Sequence, residues 1–291
     1  MKVGINASFL RKSDTGIGQV TSGFIKELIS NPHSHEYFLY LEEDIDFKLP
    51  KKMHKRVFLP KLWKRDDIAR KIYWEAFLLP RKAKRDKCDV FISPYQSPTI
   101  FPSAIKHKML IHDMIWKVFP EYLNNWRKKL YAALCFRAAR RADQILTVSN
   151  WSKRDIHKYL KIENEKIIVV NPSIDKCYFI DADQEHDNVI LEKYGIYGRY
   201  IFYIGGFDSR KNITTLLDAF KILQEQEGVG DIKLVLGGED KSQRNNLFLN
   251  LKDEIKKRDL SEKVKLTGFI SQKNLPIFYR QCELFILPSL Y

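Results

Sequence analysis

A chain of 291 residues with 44% hydrophobic and 30% charged residues has ordinary globular composition, which excludes a fibrous or disordered protein and leaves room for two domains. Its four cysteines, Cys88, Cys135, Cys177 and Cys282, form no C-x-x-C pattern, so neither a disulfide framework nor a zinc site is expected. The net charge of +14 is lodged in one half: residues 1–170 hold 33 Lys and Arg against 18 Asp and Glu, residues 171–291 hold 17 against 18. The first half therefore faces something anionic.

The chain enters a strand pattern at Met1-Lys2-Val3-Gly4-Ile5 with no signal-peptide apolar region, and no apolar run reaches the length of a membrane span. A cytoplasmic location is expected. Strands are predicted over 2–7, 37–41, 56–59, 89–92, 109–112, 144–148 and 166–170, with helices over 18–29, 68–79, 126–141 and 152–160 between them. Ser152 followed by Asp155 reads as a capping box for the last of these helices. Short strands alternating with helices predict a parallel, doubly wound sheet. The pattern stops at Asn171-Pro172-Ser173. A polar run with Asp181, Asp183, Glu185 and Asp187 then reads as a linker. The same grammar restarts with strands over 200–204, 232–236, 264–267 and 284–287 and helices over 213–226, 242–258 and 274–281. The expected division is a first domain over 1–172, a crossing segment over 173–198 and a second domain over 199–291.

Three places along this pattern carry candidate chemistry. The first βα turn holds Thr15-Gly16-Ile17-Gly18, glycines that let backbone amides approach a phosphate. The dinucleotide fingerprint fails there because Thr21 stands where a third glycine belongs, but Glu42 ends the second strand as a ribose-binding acid does. An NAD-dependent Rossmann oxidoreductase stays open on that ground. His112-Asp113 ends another strand of the first sheet, where such sheets line their cleft; the pair can place an imidazole against a ligand, with Asp113 orienting it or hydrogen-bonding a ligand hydroxyl. In the second half, the run ending at Tyr203-Ile204 breaks at Gly205-Gly206. A short loop then brings Arg210 and Lys211 to the first turn of the next helix, two cations that favour an anion at a helix N-terminus.

Residues 51–87 hold fourteen Lys and Arg against four acids, interleaved with Trp63, Tyr73, Trp74 and Phe77. Trp74 and Phe77 are expected in the core of an amphipathic helix, and the flanking cations, Lys64 and Arg65 among them, at an anionic membrane surface or substrate. No nucleic-acid recognition motif accompanies the charge, so no specific nucleic-acid partner is expected.

Taken together in chain order, several blocks resemble one family. They are Thr15-Gly16-Ile17-Gly18, the helix end from Trp74-Glu75 to Leu79-Pro80, Asp89-Val90-Phe91-Ile92-Ser93-Pro94, Ile111-His112-Asp113 and Ala142-Asp143-Gln144-Ile145-Leu146-Thr147-Val148-Ser149. Ile204-Gly205-Gly206 with Arg210-Lys211-Asn212, Leu236-Gly237-Gly238, Leu266-Thr267-Gly268-Phe269-Ile270 and Phe285-Ile286-Leu287-Pro288-Ser289-Leu290-Tyr291 continue the series. The chain resembles the retaining glycosyltransferases of family 4, a mannosyltransferase-like group with the GT-B fold. The resemblance implies an α/β protein of two Rossmann-like, doubly wound parallel-sheet domains. It also implies transfer of a hexose from a GDP- or UDP-linked sugar to a saccharide or lipid-linked acceptor. Under it Arg210 and Lys211 hold the donor diphosphate, the amides of Gly16 and Gly18 reach the donor phosphates or the acceptor, and His112 and Asp113 stand at the sugar. Gly205, Gly206, Gly238 and the backbone around Ile270 line the nucleotide pocket. The acceptor lies on the basic N-terminal half, at a membrane face, and neither metal nor other cofactor is required.

Two departures accompany the resemblance. Ser173 stands where the family has glycine, and the family's Glu-Gly-Phe-Gly and a second glutamate follow the equivalent of Leu290-Tyr291. The second sheet is accordingly expected to be incomplete, and a catalytically silent nucleotide-sugar-binding fragment is the alternative reading.

Overall fold

The structure, a computed structural model, describes residues 1–12, 15–31, 34–44, 49–57, 68–181, 183–240, 242–243 and 247–291. These divide into two units, Met1–Ser173 and Ile174–Tyr291.

In the first unit seven strands form one sheet in the order β3-β2-β1-β4-β5-β6-β7, with every neighbouring pair parallel. They are β1 (Lys2–Asn6), β2 (Glu36–Leu41), β3 (Met53–Val57), β4 (Val90–Ser93), β5 (Lys106–Ile111), β6 (Gln144–Thr147) and β7 (Ile167–Val169). A parallel sheet is covered on both faces, so Tyr37-Phe38-Leu39-Tyr40-Leu41 is buried without a break and its alternate residues enter different cores. Tyr37, Leu39 and Leu41 join Val3, Ile5 and Ile25 of α1 (Gly16–Ser30). Phe38 and Tyr40 meet Trp74, Leu79 and Ala83 on the opposite face. That second layer is α2 (Ile68–Ile72), a π-helical turn (Tyr73–Leu78) and α3 (Leu79–Arg85). Beyond them come α4 (Ile115–Val118), α5 (Trp126–Arg141) and α6 (Asn150–Leu160), the last two packed with β5, β6 and β7 around Met109, Phe136, Ile145 and Ile156.

The second unit repeats the plan with β8 (Tyr200–Ile204), β9 (Lys233–Gly237), β10 (Val264–Gly268) and β11 (Leu284–Phe285), ordered β10-β9-β8-β11. Helices α8 (Ile213–Gln224) and α9 (Leu251–Lys256) cover one face, and α7 (Gln184–Lys193) and α10 (Leu275–Gln281) the other. In both sheets the strand order reverses once, between β1 and β4 and between β8 and β11. The loops leaving such neighbours diverge to opposite faces and open a crevice at the strand C-termini.

The polar run expected as a linker contains α7. Asp183 caps the helix, and Asp187 is buried under bidentate Arg280 at 2.8 and 2.9 Å and under Gln281 at 2.8 Å. Although burial opposes it, that pairing holds the Asp187 carboxyl below its usual range. The helix expected over 242–258 is only α9, capped by Asn250, with turn and bridge before it among the described residues. Ser149 caps α6 by accepting from the Ser152 amide, so the capping box expected at Ser152 and Asp155 is displaced by three residues. The last residues of the strand expected over 56–59, and Trp63, Lys64 and Arg65, lie outside the described residues.

Phe77, expected in the core, is exposed, while Trp74 is fully buried. The π-helical turn explains the split. The Leu79 amide bonds to the Trp74 carbonyl, five residues back, so Trp74 and Leu79 share the inner face and Tyr73 and Phe77 turn outward.

Within the first core His107 sits beneath Phe101, its Nε2 2.9 Å from Ser93 Oγ, and burial lowers its pKa to about 4 against the nearby Asp143 charge. The native imidazole binds its proton more weakly than the unfolded one near 6.5. Its contribution is therefore complete above pH 6.5 and drains away as the pH falls to 4. Urea unfolding across that window should show a loss of about 3 kcal/mol from this group, and His107→Gln should flatten the slope.

Candidate functional site

Each reversal of strand order gathers residues singled out from the sequence. In the first unit β1 and β4 end at Asn6 and Ser93, and a buried polar network joins them. Asn6 Nδ2 donates to Tyr95 Oη at 2.7 Å, and Tyr95 donates to Glu75 Oε1 at 2.5 Å. The other carboxylate oxygen accepts from Tyr131 Oη at 2.7 Å, and Lys71 Nζ stands 4.0 Å from Glu75. Asn6 Oδ1 in turn receives Ser8 Oγ, which receives the Trp74 indole N–H. Burial raises the Glu75 pKa, against the opposing pull of Lys71 and the two phenols. Glu75 stands in one of the blocks quoted above but without a role, and Tyr95 and Tyr131 are in none of them. The one local signal was a Glu beside a core Trp, since the partners lie 20 and 56 residues away.

His112 follows β5 at the same edge. Its Nε2 lies 3.0 Å from the Pro94 carbonyl, which can only accept, so Nε2 carries the proton and Nδ1 presents a lone pair. Burial lowers its pKa against that hydrogen bond and the Asp113 charge, which keeps the ring neutral near pH 7. Ser152 Oγ holds the His112 carbonyl at 2.9 Å. Asp113 does not orient the ring: its carboxylate accepts from the Ile115 amide at 3.1 Å and starts α4. Gly16 opens α1 with empty space where a Cβ would stand. The Gly18 amide, expected to face a phosphate, is instead bonded to Thr15 Oγ1 at 3.1 Å. Glu42, the candidate ribose acid, is buried against Arg70 at 2.6 Å, and that engagement removes the residue on which the NAD reading rested.

In the second unit Arg210 and Lys211 form a 3-10 turn, Ser209–Lys211, ahead of α8 instead of lying in its first turn; Asn212, at φ +55°, turns the chain into the helix. Arg210 Nε stands 2.9 Å from buried Asp208 Oδ1, Lys211 Nζ donates to Ser289 Oγ at 3.3 Å, and the Leu290 amide donates to the Arg210 carbonyl at 2.8 Å. The cation loop and the stretch after β11 are thus stitched together across the β8–β11 reversal. Gly205 and Gly238 stand where β8 and β9 end. A Cβ on Gly238, at φ +146°, would lie 2.1 Å from the Gly205 carbonyl, and one on Gly205 would lie 2.7 Å from Tyr203 Oη. A Cβ on Gly206 would sit 3.1 Å from Asp208 Oδ2. Gly238 lets main chain meet main chain, while Gly205 and Gly206 make room for the Tyr203 and Asp208 side chains. The Ile270 side chain is buried with Phe202, Val235 and Phe278, which leaves only its backbone to face a ligand.

Comparison with known proteins follows these two halves. A family model described as Glycosyltransferase Family 4 matches residues 15–176, and one described as Glycosyl transferases group 1 matches residues 190–291. Mannosylfructose-phosphate synthase of Agrobacterium fabrum is 28% identical over 45% of this chain and 29% of its own. O-antigen chain mannosyltransferase B of Escherichia coli is 24% identical over 68% of this chain and 51% of its own. The chain therefore spans about half or less of the curated relatives it matches. Among solved structures, Anabaena HepE in complex with UDP superposes with a TM-score of 0.63 at 14% identity, over 100% of this chain and 74% of that one. At that identity the likeness concerns the fold, and the two parallel-sheet units are the GT-B architecture of glycosyltransferases.

Glycine substitutions separate backbone need from ligand need. Gly238→Ala should destabilise the second unit by about 2 kcal/mol or more in chemical denaturation, whereas Gly16→Ala should change stability by less than about 0.5 kcal/mol.

Proposed function

Because this chain belongs to glycosyltransferase family 4, we propose that it moves a hexose, mannose-like in type, from a GDP- or UDP-linked sugar to a saccharide or lipid-linked acceptor, with retention at the anomeric carbon. The observation that carries the reading is the Arg210-Lys211 turn at the β8–β11 reversal. When the anomeric C–O bond to the diphosphate breaks, its electron pair passes to the leaving phosphate oxygen. Fixed cations at that position stabilise the growing charge. Side chains meet the diphosphate in this reading, so no metal is called for. The acceptor hydroxyl oxygen forms the new bond to the anomeric carbon and passes its proton to the departing phosphate oxygen. Neutral His112, with Nε2 on the Pro94 carbonyl, offers Nδ1 to a sugar hydroxyl as a hydrogen-bond acceptor and so orients the sugar. The Gly205, Gly206 and Gly238 main chain provides the smooth wall on which the nucleotide rests.

The reading extends to where the acceptor is met. Among the described residues no helix is long and apolar enough to cross a membrane. Exposed Tyr73 and Phe77 on the π-helical turn, and Trp126 and Leu130 on α5 beside Arg127, Lys128 and Lys129, suit contact with an anionic bilayer surface.

Arg210→Ala and Lys211→Ala should each lower sugar transfer by about a hundredfold in turnover assays with nucleoside-diphosphate sugars, and undiminished rates in both would remove the assignment. Sedimentation with vesicles containing phosphatidylglycerol should carry down the wild-type chain. Phe77→Ser with Trp126→Ser should leave most of it in the supernatant, as should high salt.

A further inference from the structure

Three consecutive carbonyls at the end of β5 each receive a hydrogen bond from a side chain of another element. The Ile111 carbonyl accepts from Thr147 Oγ1, at the end of β6, at 2.7 Å. The His112 carbonyl accepts from Ser152 Oγ on α6 at 2.9 Å, and the Asp113 carbonyl from Gln96 Nε2 at 2.7 Å. Thr147 and Ser152 are buried, so water does not compete for their bonds. Peptide groups held at three successive residues cannot turn one at a time.

Gln96 differs from the other two donors in what it joins. The β4–β5 ladder runs as far as Ser93, which pairs with Met109. Past that point two side-chain bonds tie the segments together. His112 Nε2 donates to the Pro94 carbonyl at 3.0 Å, and Gln96 Nε2 donates back to the Asp113 carbonyl. The two bonds run in opposite directions and close a ring that contains residues 94–96 and 112–113. The loop is anchored elsewhere too: Ser93 Oγ lies 2.9 Å from His107 Nε2, and Tyr95 Oη spans Asn6 and Glu75. Those anchors lead to the body of β5, to β1 and to the π-helical turn. The Gln96 bond is the one that sets the loop against the residues carrying the imidazole.

The consequence falls on the ring. A neutral imidazole can carry its proton on either nitrogen, and the acceptor it meets decides which. With the Pro94 carbonyl fixed opposite Nε2, the proton stays there and Nδ1 keeps its lone pair. Were that carbonyl to withdraw, the ring could carry the proton on Nδ1 and present a donor where an acceptor stood. We propose that Gln96 is a positioning residue for His112: by holding residues 94–96 against 112–113 it keeps the Pro94 carbonyl on Nε2 and the Nδ1 lone pair open to a sugar hydroxyl. The proposal rests on the sugar-orienting role of His112 and adds the residue that governs it.

Nitrogen-15 NMR of the 291-residue chain reads the tautomer directly, at about pH 8 so that the ring is neutral. His112→Gln assigns the signal among the seven histidines. The wild-type ring should carry its proton on Nε2. Gln96→Met keeps the length of the side chain and removes the donor, and it should raise the Nδ1–H fraction about fivefold, as the loss of one hydrogen bond allows. Gln96→Glu keeps the shape but turns an acceptor on the Asp113 carbonyl, and it should shift the ring at least as far. Should one of the two lose its fold by circular dichroism, the other decides. Titration with GDP-mannose and UDP-glucose against GDP and UDP gives a second readout. Both variants should bind the bare nucleotides as the wild type does and lose about fivefold on the nucleotide sugar that the wild type prefers. A wild-type tautomer in the folded variants overturns the proposal even where they are less stable, as does a wild-type ring protonated on Nδ1. A sugar that adds nothing to nucleotide affinity in the wild type would count against the sugar-orienting reading and leave the positioning of His112 standing.

Discussion

A carboxylate with no exposed surface governs the first unit. Glu75 is fully buried, and an ionised group in that position costs several kcal/mol unless both oxygens are met. Tyr95 meets one and Tyr131 the other, with Lys71 beside them. Through Tyr95 the network reaches Asn6 at the end of β1, and through Ser8 it returns to Trp74 on the same π-helical turn. Four elements distant in sequence thus depend on one side chain: the ends of β1 and β4, α5, and the segment between α2 and α3. In such a network removal of one member strands the others, so its parts stand or fall together.

The second unit solves the same geometric problem by other means. Its strand order also reverses once, between β8 and β11, while the neighbouring ends of β8 and β9 are brought together by glycine main chain. Gly205 and Gly238 allow two strand ends to approach at a distance no Cβ tolerates, and Tyr203 closes over them with its hydroxyl on the Gly206 carbonyl at 2.6 Å. One sheet therefore presents a wall of aromatic rings and cations, the other a wall of peptide groups with two cations at its rim.

Much of the fold was legible because its determinants are local. Apolar runs such as Tyr200 to Ile204 and the alternation with helices mark a parallel sheet without any knowledge of contacts, and seven and four strands follow from it. The misreadings share a cause. Asp187 looks like a solvated carboxylate until Arg280 appears 93 residues later, and only then is α7 a packed helix instead of a linker. Phe77 faces outward because one π-helical turn shifts the inner face by a residue, which a 3.6-residue period does not foresee. Ser149, extended at φ −156° and ψ 160°, is the cap, and Ser152 already lies inside the helix with its hydroxyl on the His112 carbonyl. In the candidate site the positions of His112 and of the Arg210-Lys211 turn at strand C-termini were readable. Their partners were not: Pro94 for the imidazole, Ser289 and Leu290 for the cations, and Glu75 for the whole first crevice are all set by tertiary neighbours.

The stitching between residues 210–212 and 288–290 makes two segments behave as one stiff link. The Arg210 carbonyl is held by the Leu290 amide, Lys211 by the Ser289 hydroxyl, and Asn212 by the Pro288 carbonyl at 3.4 Å. Only the first of these joins main chain to main chain, at 2.8 Å, and it cannot slacken by changing rotamer; the other two run through side chains and are longer. The Arg210 main chain is consequently pinned at folding to the segment that follows β11, and it does not move as an independent surface loop.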